Sequence, residues 1–274
     1  MRRSAATQKL LYVSDGGANA VKVYDYPSGK PVGALTGLSA PTGDCTNQSG
    51  DVWVVNSGAS GLSEYAHGGK KPIAKLVDTA ARNLLGCAVD STTGNLAVTD
   101  LGGPSGGGNL VIYTDAKGTP SEYTASALEF AYFCAYDTNG DLFVDGLNSN
   151  GQFVLFELPR ESSALESITL DQTVGFPGGV AWVDKQLAIG DQLYESKHES
   201  AIYEFAISGS SGKLTGTTPL SGSCDVIDFA LYSGFVIAPD ACQNTVGFYL
   251  YPTGGSPTKT LTGLQYPVGA AVSL

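Results

Sequence analysis

Short stretches in which apolar and polar residues alternate recur along the whole chain, and six copies share one layout. Each copy has an apolar strand that ends at or beside Asp or Asn, a turn of small polar residues, and a second strand closing on an aromatic. The first strands begin Leu11-Tyr12-Val13-Ser14-Asp15, Val52-Trp53-Val54-Val55-Asn56, Leu96-Ala97-Val98-Thr99-Asp100, Leu142-Phe143-Val144-Asp145, Leu187-Ala188-Ile189-Gly190-Asp191 and Val236-Ile237-Ala238-Pro239-Asp240. The second strands close on Tyr24, Tyr65, Tyr113, Phe156, Phe205 and Tyr249. More polar segments follow, at 30–36, 71–77 and 257–262 among others, and read as exposed outer strands. A repeat of about 45 residues is the length of a four-stranded propeller blade.

Ahead of each apolar strand lies a stretch of small residues, such as Thr42-Gly43-Asp44-Cys45, Leu85-Gly86-Cys87-Ala88 and Pro177-Gly178-Gly179-Val180. Small side chains suit the innermost strand, where radially arranged sheets crowd around an axis. The first copy lacks this segment, and its equivalent stands at the far end as residues 266–274. The pattern therefore predicts an all-β, six-bladed β-propeller with four-stranded blades. The C-terminal inner strand would close the ring by pairing with the N-terminal blade, which removes two open sheet edges. Residues 9–274 form one propeller domain in this reading, behind a tail at 1–8. A sandwich or an open solenoid would also show short strands, but neither explains the displaced last segment.

The residues Val13-Ser14-Asp15, Asn19 and 21–24, with their counterparts ending in Asp100, Asp191 and Asp240, resemble NHL-repeat propellers and, more loosely, the regucalcin and gluconolactonase-like six-bladed group. The likeness spans nearly the whole chain at the level of the repeat, so it implies a fold more than an activity.

Composition narrows the partners. With 42% hydrophobic residues, 36 Gly and 13 Pro, the chain is too apolar to be disordered and too interrupted to be mainly helical. Its formal charge of -11, from 15 basic and 26 acidic residues, argues against nucleic acid and anionic lipid surfaces. No apolar run is long enough for a membrane-spanning helix. The first eight residues hold two Arg and no apolar core. Scarce Lys and Arg and loops of Ser, Thr, Asn and Gly lead us to expect a secreted or periplasmic monomer whose signal has been removed.

The face at which the first strands end, called the top here, would carry Asp15, Asn56, Asp100, Asp191 and Asp240. Such a carboxylate ring admits Ca²⁺ as a cofactor. Asp and Asn also fold back on nearby backbone N–H groups, and their recurrence in nearly every blade favours that structural role. In the fourth copy Gly146 takes the position, and Asp145, one residue early, should point to the opposite side unless a bulge intervenes.

The gluconolactonase likeness implies a divalent metal held by Glu, Asn and Asp near the starts of inner strands. No Glu stands at those places here, and the metal-capable residues are Asp44, Asn83, Asp225 and Asp228. Tyr132, Phe133, Phe176 and Tyr266 occupy the same region and would either rim a ligand-binding mouth or plug the channel. The longest loop on this face brings Asp191, Glu195, His198 and Glu199 together as a candidate acid–base set. It is similar in topology alone to the His and Glu chemistry of streptogramin lyases, which have another blade number. His67 reads as a surface residue in a turn on the far face.

Of the five cysteines, Cys45, Cys87 and Cys134 share one inner-strand position and read as small apolar fillers. Cys224 and Cys242 read as a disulfide near the top. The leading expectation is an exported, non-catalytic propeller that binds a small molecule, glycan or protein at its top face. The alternatives are a divalent-metal hydrolase or lactonase and a lyase or hydrolase using the His198 loop.

Overall fold

The computed structural model describes residues 8–78, 80–81, 83–102, 107–194 and 199–274, and apart from three single-turn 3-10 segments its regular elements are strands. In chain order they are β1 (Leu10–Asp15), β2 (Ala20–Asp25), β3 (Pro31–Leu35), β4 (Pro41–Thr46), β5 (Val52–Asn56), β6 (Gly61–Tyr65), β7 (Pro72–Val77), β8 (Leu84–Val89), β9 (Leu96–Asp100), β10 (Asn109–Tyr113), β11 (Ser121–Tyr123), β12 (Phe130–Tyr136), β13 (Leu142–Leu147), β14 (Phe153–Leu158) and β15 (Glu166–Leu170). The rest are β16 (Pro177–Val183), β17 (Gln186–Tyr194), β18 (Glu199–Ser208), β19 (Ser211–Leu220), β20 (Ala230–Tyr232), β21 (Phe235–Asp240), β22 (Thr245–Leu250), β23 (Lys259–Leu261) and β24 (Pro267–Ser273).

Four sheets have four strands, in the orders β24-β1-β2-β3, β4-β5-β6-β7, β8-β9-β10-β11 and β20-β21-β22-β23. The fifth has eight, because β15 and β19 pair in parallel at Thr169↔Ser211 and Leu170↔Gly212. The repeat predicts six separate sheets. The difference arises because β18 and β19, at ten residues each, run past the usual strand length and meet the outer edge of the neighbouring sheet.

The sheets stand around a common axis. Their inner strands pack in sequence, β24 on β4, β4 on β8, β8 on β12, β12 on β16, β16 on β20 and β20 back on β24. This crowding explains the small residues. A Cβ on Gly43 would meet the Leu85 carbonyl oxygen at 2.6 Å, and one on Gly269 the Thr42 oxygen at 2.4 Å. Inner strands β4, β8, β12 and β16 also carry a register shift near their third residue, a bulge that sequence periodicity does not reveal.

The middle strands of each sheet are buried on both faces and are therefore mainly apolar, whereas outer strands such as β7 and β11 are largely exposed. In β1, Leu10 and Tyr12 pack with Val52 and Val54 on one side, whereas Leu11 and Val13 pack with Ile237 and Phe248 on the other. The ring is joined through β24, which runs antiparallel to β1 from Leu10↔Ser273 to Asp15↔Pro267. Side chains reinforce this seam. His67 is half-buried, and its Nδ1 lies 2.6 Å from Ser273 Oγ, which donates to the Gly50 carbonyl. Tyr12 accepts the Gly68 N–H at 2.9 Å.

Loss of β24 would strip β1 of a partner and expose Leu11 and Val13, each fully buried. At about 2 kcal/mol per buried aliphatic side chain, plus the ladder, this approaches the roughly 5–15 kcal/mol net stability of a domain. A chain ending at Gln265 is therefore expected to show no cooperative thermal unfolding and to elute as aggregate in size-exclusion chromatography. A sharp transition near that of the full chain would contradict the seam's role.

Candidate functional site

The polar residues that recur at the top face are structural clamps. Asp15 Oδ1 accepts the N–H groups of Gln265 and Tyr266, both at 3.0 Å. Asn56 Oδ1 accepts from Ser39 at 2.6 Å, and Asp100 Oδ1 from Asn83 at 2.8 Å. Asp191 receives the N–H groups of Gly175, Phe176 and Leu193, and Asp240 those of Cys224, Asp225 and Gln243. Each ties the end of a first strand of the repeat to the segment leading into the inner strand of its own sheet. Each thereby commits at least one acceptor oxygen to backbone donors in its own sheet, while Asp15 Oδ2 is buried without a hydrogen-bond partner among the described residues.

The fourth repeat departs from this scheme for a steric reason. A Cβ on Gly146 would meet the Phe130 carbonyl oxygen at 2.0 Å, so no Asp fits there. Asp145 sits one residue earlier, fully buried, and accepts the Phe133 N–H at 2.8 Å on the bulged inner strand.

Below the top face the axis is closed. Leu85, Phe133 and Val268 form a buried apolar cluster, with Tyr132, Val180 and Ile227 against it. Phe133 is only 2% exposed and belongs to this plug, one of the two places its sequence position allowed. Around the plug lie three carboxyl groups. Asp44 accepts from Ser14 through both N (3.0 Å) and Oγ (2.9 Å), and Asp228 Oδ1 accepts the Phe229 N–H at 2.8 Å. Burial pushes Asp44 up to about 7 and Asp228 up to about 8, the charge of Asp44 adding to the second. Asp228 keeps partial solvent access, but protein encloses it and desolvation dominates. Burial, and then the charge of Asp228, holds Asp145 well above the carboxylate range.

The four metal candidates do not converge. Asp44 is bound to Ser14, Asn83 Oδ1 accepts from Ser57 Oγ at 3.2 Å, Asp225 lies in the mouth and Asp228 beside the plug. Among the described residues, no group of three or more His, Cys, Asp or Glu side chains is placed to hold a metal ion. In the acid–base set, Asp191 is spent on its clamp and Glu199 accepts the Gly222 N–H at 3.2 Å. Glu195 and His198 lie outside the described residues.

The top face does open into a pocket of about 390 Å³, lined by Phe176, Gln192, Leu193, Asp225 and the Cys224–Cys242 disulfide, whose Cα atoms are 5.8 Å apart. Tyr132 packs edge-on against Phe176 with ring centroids 5.5 Å apart. Tyr266 is 46% exposed, and its phenol is pushed up by burial and then by the charge of Asp225. Leu193 and Phe130 are also exposed here, at 37% and 42%. Sequence reasoning missed both; the signal for Leu193 was an apolar residue two positions after a clamp Asp, at the start of a mainly polar loop. A larger groove of about 580 Å³ runs along β14 and β15, but its lining has no ionisable side chain to direct a ligand.

A second disulfide corrects the reading of Cys45 and Cys87 as fillers. Adjacent inner strands β4 and β8 bring their Cα atoms to 5.8 Å, within bridging distance, and the two sulfurs are bonded. Cys134 is buried and free.

No family model matches the sequence, and no curated protein matches it either. Among solved structures, a chain from the crystal structure of the nidogen/laminin complex is similar with a TM-score of 0.77, covering 97% of this chain and 98% of its own at 14% identity. A protein of unknown function from Bacteroides caccae gives a TM-score of 0.71, covering 97% and 99% at 12% identity. These likenesses agree with an all-β propeller-like fold. The resemblance to NHL-repeat and gluconolactonase-like propellers stays at the level of the repeat.

The clamps and the buried acids each generate a measurable expectation. Asp240→Ala strands three N–H groups that meet its carboxylate and is expected to cost about 3 kcal/mol, against about 1 kcal/mol for Asn56→Ala, which strands one. Urea denaturation checks this, and equal small losses would refute the clamp role. Asp44 and Asp228 have folded-state values raised above the ordinary 3.8, so the folded protein holds these protons more tightly than the unfolded chain. Their stabilisation is complete below about pH 4 and is lost as pH rises through about 7 and 8. Asp90 has the opposite sign: burial raises it, but bonds from Thr93 and Thr92 prevail and hold it low, so its contribution fades in acid. The urea midpoint should thus fall between about pH 5 and 9. Asp228→Asn should flatten that fall, and an unchanged slope would show that Asp228 ionises normally.

Proposed function

We propose that this protein is a six-bladed, non-catalytic binding propeller, a single domain over residues 9–274, that holds a ligand or protein partner at its top face. The eight-stranded sheet counts as two blades joined at their outer edges, and six inner strands then surround one axis. The observation that carries the functional reading is the contrast along that axis. Leu85, Phe133 and Val268 fill its interior, whereas Tyr132, Phe176, Leu193 and Tyr266 stay half-exposed or exposed above them, around an open pocket. Aromatic walls with a few directed polar groups suit recognition rather than passage.

The resemblance to a chain of the nidogen/laminin complex, itself an assembly of two proteins, favours a protein occupant over a sugar or a small apolar ligand. Two disulfides are consistent with an extracellular protein and support a secreted or periplasmic location. The bridge between β4 and β8 links two neighbouring blades at the hub, where an oxidising compartment would keep it closed.

The wild-type chain applied to peptide and glycan arrays should give hits that Tyr132→Ala and Tyr266→Ala reduce by about tenfold or more, the scale of an aromatic anchor at an interface. Ile73→Ala, at an exposed apolar position on outer strand β7, is the control and should leave them unchanged. Hits insensitive to both tyrosines would place binding elsewhere. Turnover of lactones that chelation abolishes would replace this reading with a metal-dependent hydrolase.

A further inference from the structure

The carboxylate of Asp225 is a polar group with no use in the fold. Its backbone is pinned on both sides, the N–H donating to Asp240 at 3.3 Å and the carbonyl accepting the Ala241 N–H at 2.9 Å. Its side chain makes no hydrogen bond or ion pair among the described residues, and the neighbouring charge acting on it is Asp240, also negative. The clamp carboxylates of the top face, Asp15, Asp100, Asp191 and Asp240, accept backbone N–H groups that fix them. Asp225 is held rigidly in a pocket wall with its acceptor oxygens unspent.

Its surroundings are those that organic cations use. Phe176 and Leu193 supply an aromatic and an aliphatic wall beside the Cys224–Cys242 bridge, in the same pocket as the carboxylate. An aromatic face next to a carboxylate attracts an ammonium or guanidinium group by charge and by the ring quadrupole. The apolar walls accept the methylene stem behind such a group. A pocket of about 390 Å³ has room for one long side chain and little more.

The charge layout of the molecule points the same way. Among the described residues no Lys or Arg lies in a turn at the top face; Lys9, Lys30, Lys71, Lys117, Arg160 and Lys259 are all at the opposite end, and Arg82 and Lys197 fall outside the described residues. Asp78, Glu129 and Asp225 occupy top-face turns, whereas Asp171, at the end of β15, shares a groove with Lys213. A basic partner approaching this face meets more negative than positive charge in its turns.

We propose that the pocket receives an arginine or lysine side chain from a protein partner, with Asp225 taking the charged head and Phe176 and Leu193 holding the stem. This deepens the top-face reading and rests on it. The partner is a polypeptide because the pocket is open to the surface along exposed Leu193, which a lone amine would leave uncovered.

The test is an NMR titration of the full chain with Nα-acetyl-arginine amide, its neutral citrulline counterpart, and the tripeptide acetyl-Gly-Arg-Gly amide. Saturable shifts at Gln192 and Leu193 are expected for the arginine compound, about tenfold weaker for citrulline and for Asp225→Asn, and tighter for the tripeptide. Asp225→Asn removes charge without removing a structural bond, and an unchanged amide spectrum elsewhere verifies that it folds. Equal binding of arginine and citrulline would overturn the cation site while leaving a neutral top-face site in place. Absence of saturable shifts with any probe would overturn it too, and array hits that still depend on Tyr132 and Tyr266 would then show that top-face binding survives without it. A tripeptide no tighter than the amino-acid amide would overturn the polypeptide partner.

Discussion

Everything in this molecule depends on the antiparallel pairing of the last strand, β24, with the first, β1. Sheets that are apolar on both faces cannot end in solvent, because the outermost one would expose an entire core layer and an open ladder of N–H and C=O groups. Joining Pro267–Ser273 to Leu10–Asp15 gives the first and last sheets the same buried neighbours as the rest. Closure also fixes the radius at which the inner strands meet. That radius is so small that glycine is required at Gly43 and Gly269 and an apolar plug suffices to fill the axis.

From this constraint the site follows. Inner strands pressed together at the hub bulge near the top, and the clamp residues Asp15, Asn56, Asp100, Asp191 and Asp240 gather the N–H groups that lead into them. With those polar groups committed, what the top face offers a partner is the remainder: Tyr132, Phe176, Leu193, Tyr266 and the unspent carboxylate of Asp225. The acids at the hub, Asp44, Asp145 and Asp228, are desolvated by the same crowding and cost stability when ionised.

The sequence made the architecture legible because the repeat places each apolar strand, its terminal Asp or Asn and its aromatic partner at a fixed spacing, and because residues 266–274 are displaced from where the first copy needs them. The polar outer strands at 30–36, 71–77 and 257–262 correspond to Pro31–Leu35, Pro72–Val77 and Lys259–Leu261. What it could not show were features set between sheets. The union of β15 with β19 depends on how far β18 and β19 overhang, and the Cys45–Cys87 bond on the distance between two inner strands. For Tyr132, Phe133, Phe176 and Tyr266 the sequence left rim and plug open, because burial at the hub depends on how neighbouring sheets meet; Phe133 is in the plug. Asp225 stood among metal candidates by residue type, whereas its surroundings are aromatic and contain no second free ligand.

Native-state hydrogen exchange of the β1–β24 ladder tests the central claim most directly. If closure is the constraint on which the sheets depend, the amides of Tyr12 and Ala271, which face each other across the seam, exchange only through global unfolding, with the same opening free energy as those of Val54 and Val98 in the middle of other sheets. Exchange of Tyr12 and Ala271 by a separate opening of much lower free energy, with Val54 and Val98 still protected, would show that the ring holds without its seam and would contradict the account.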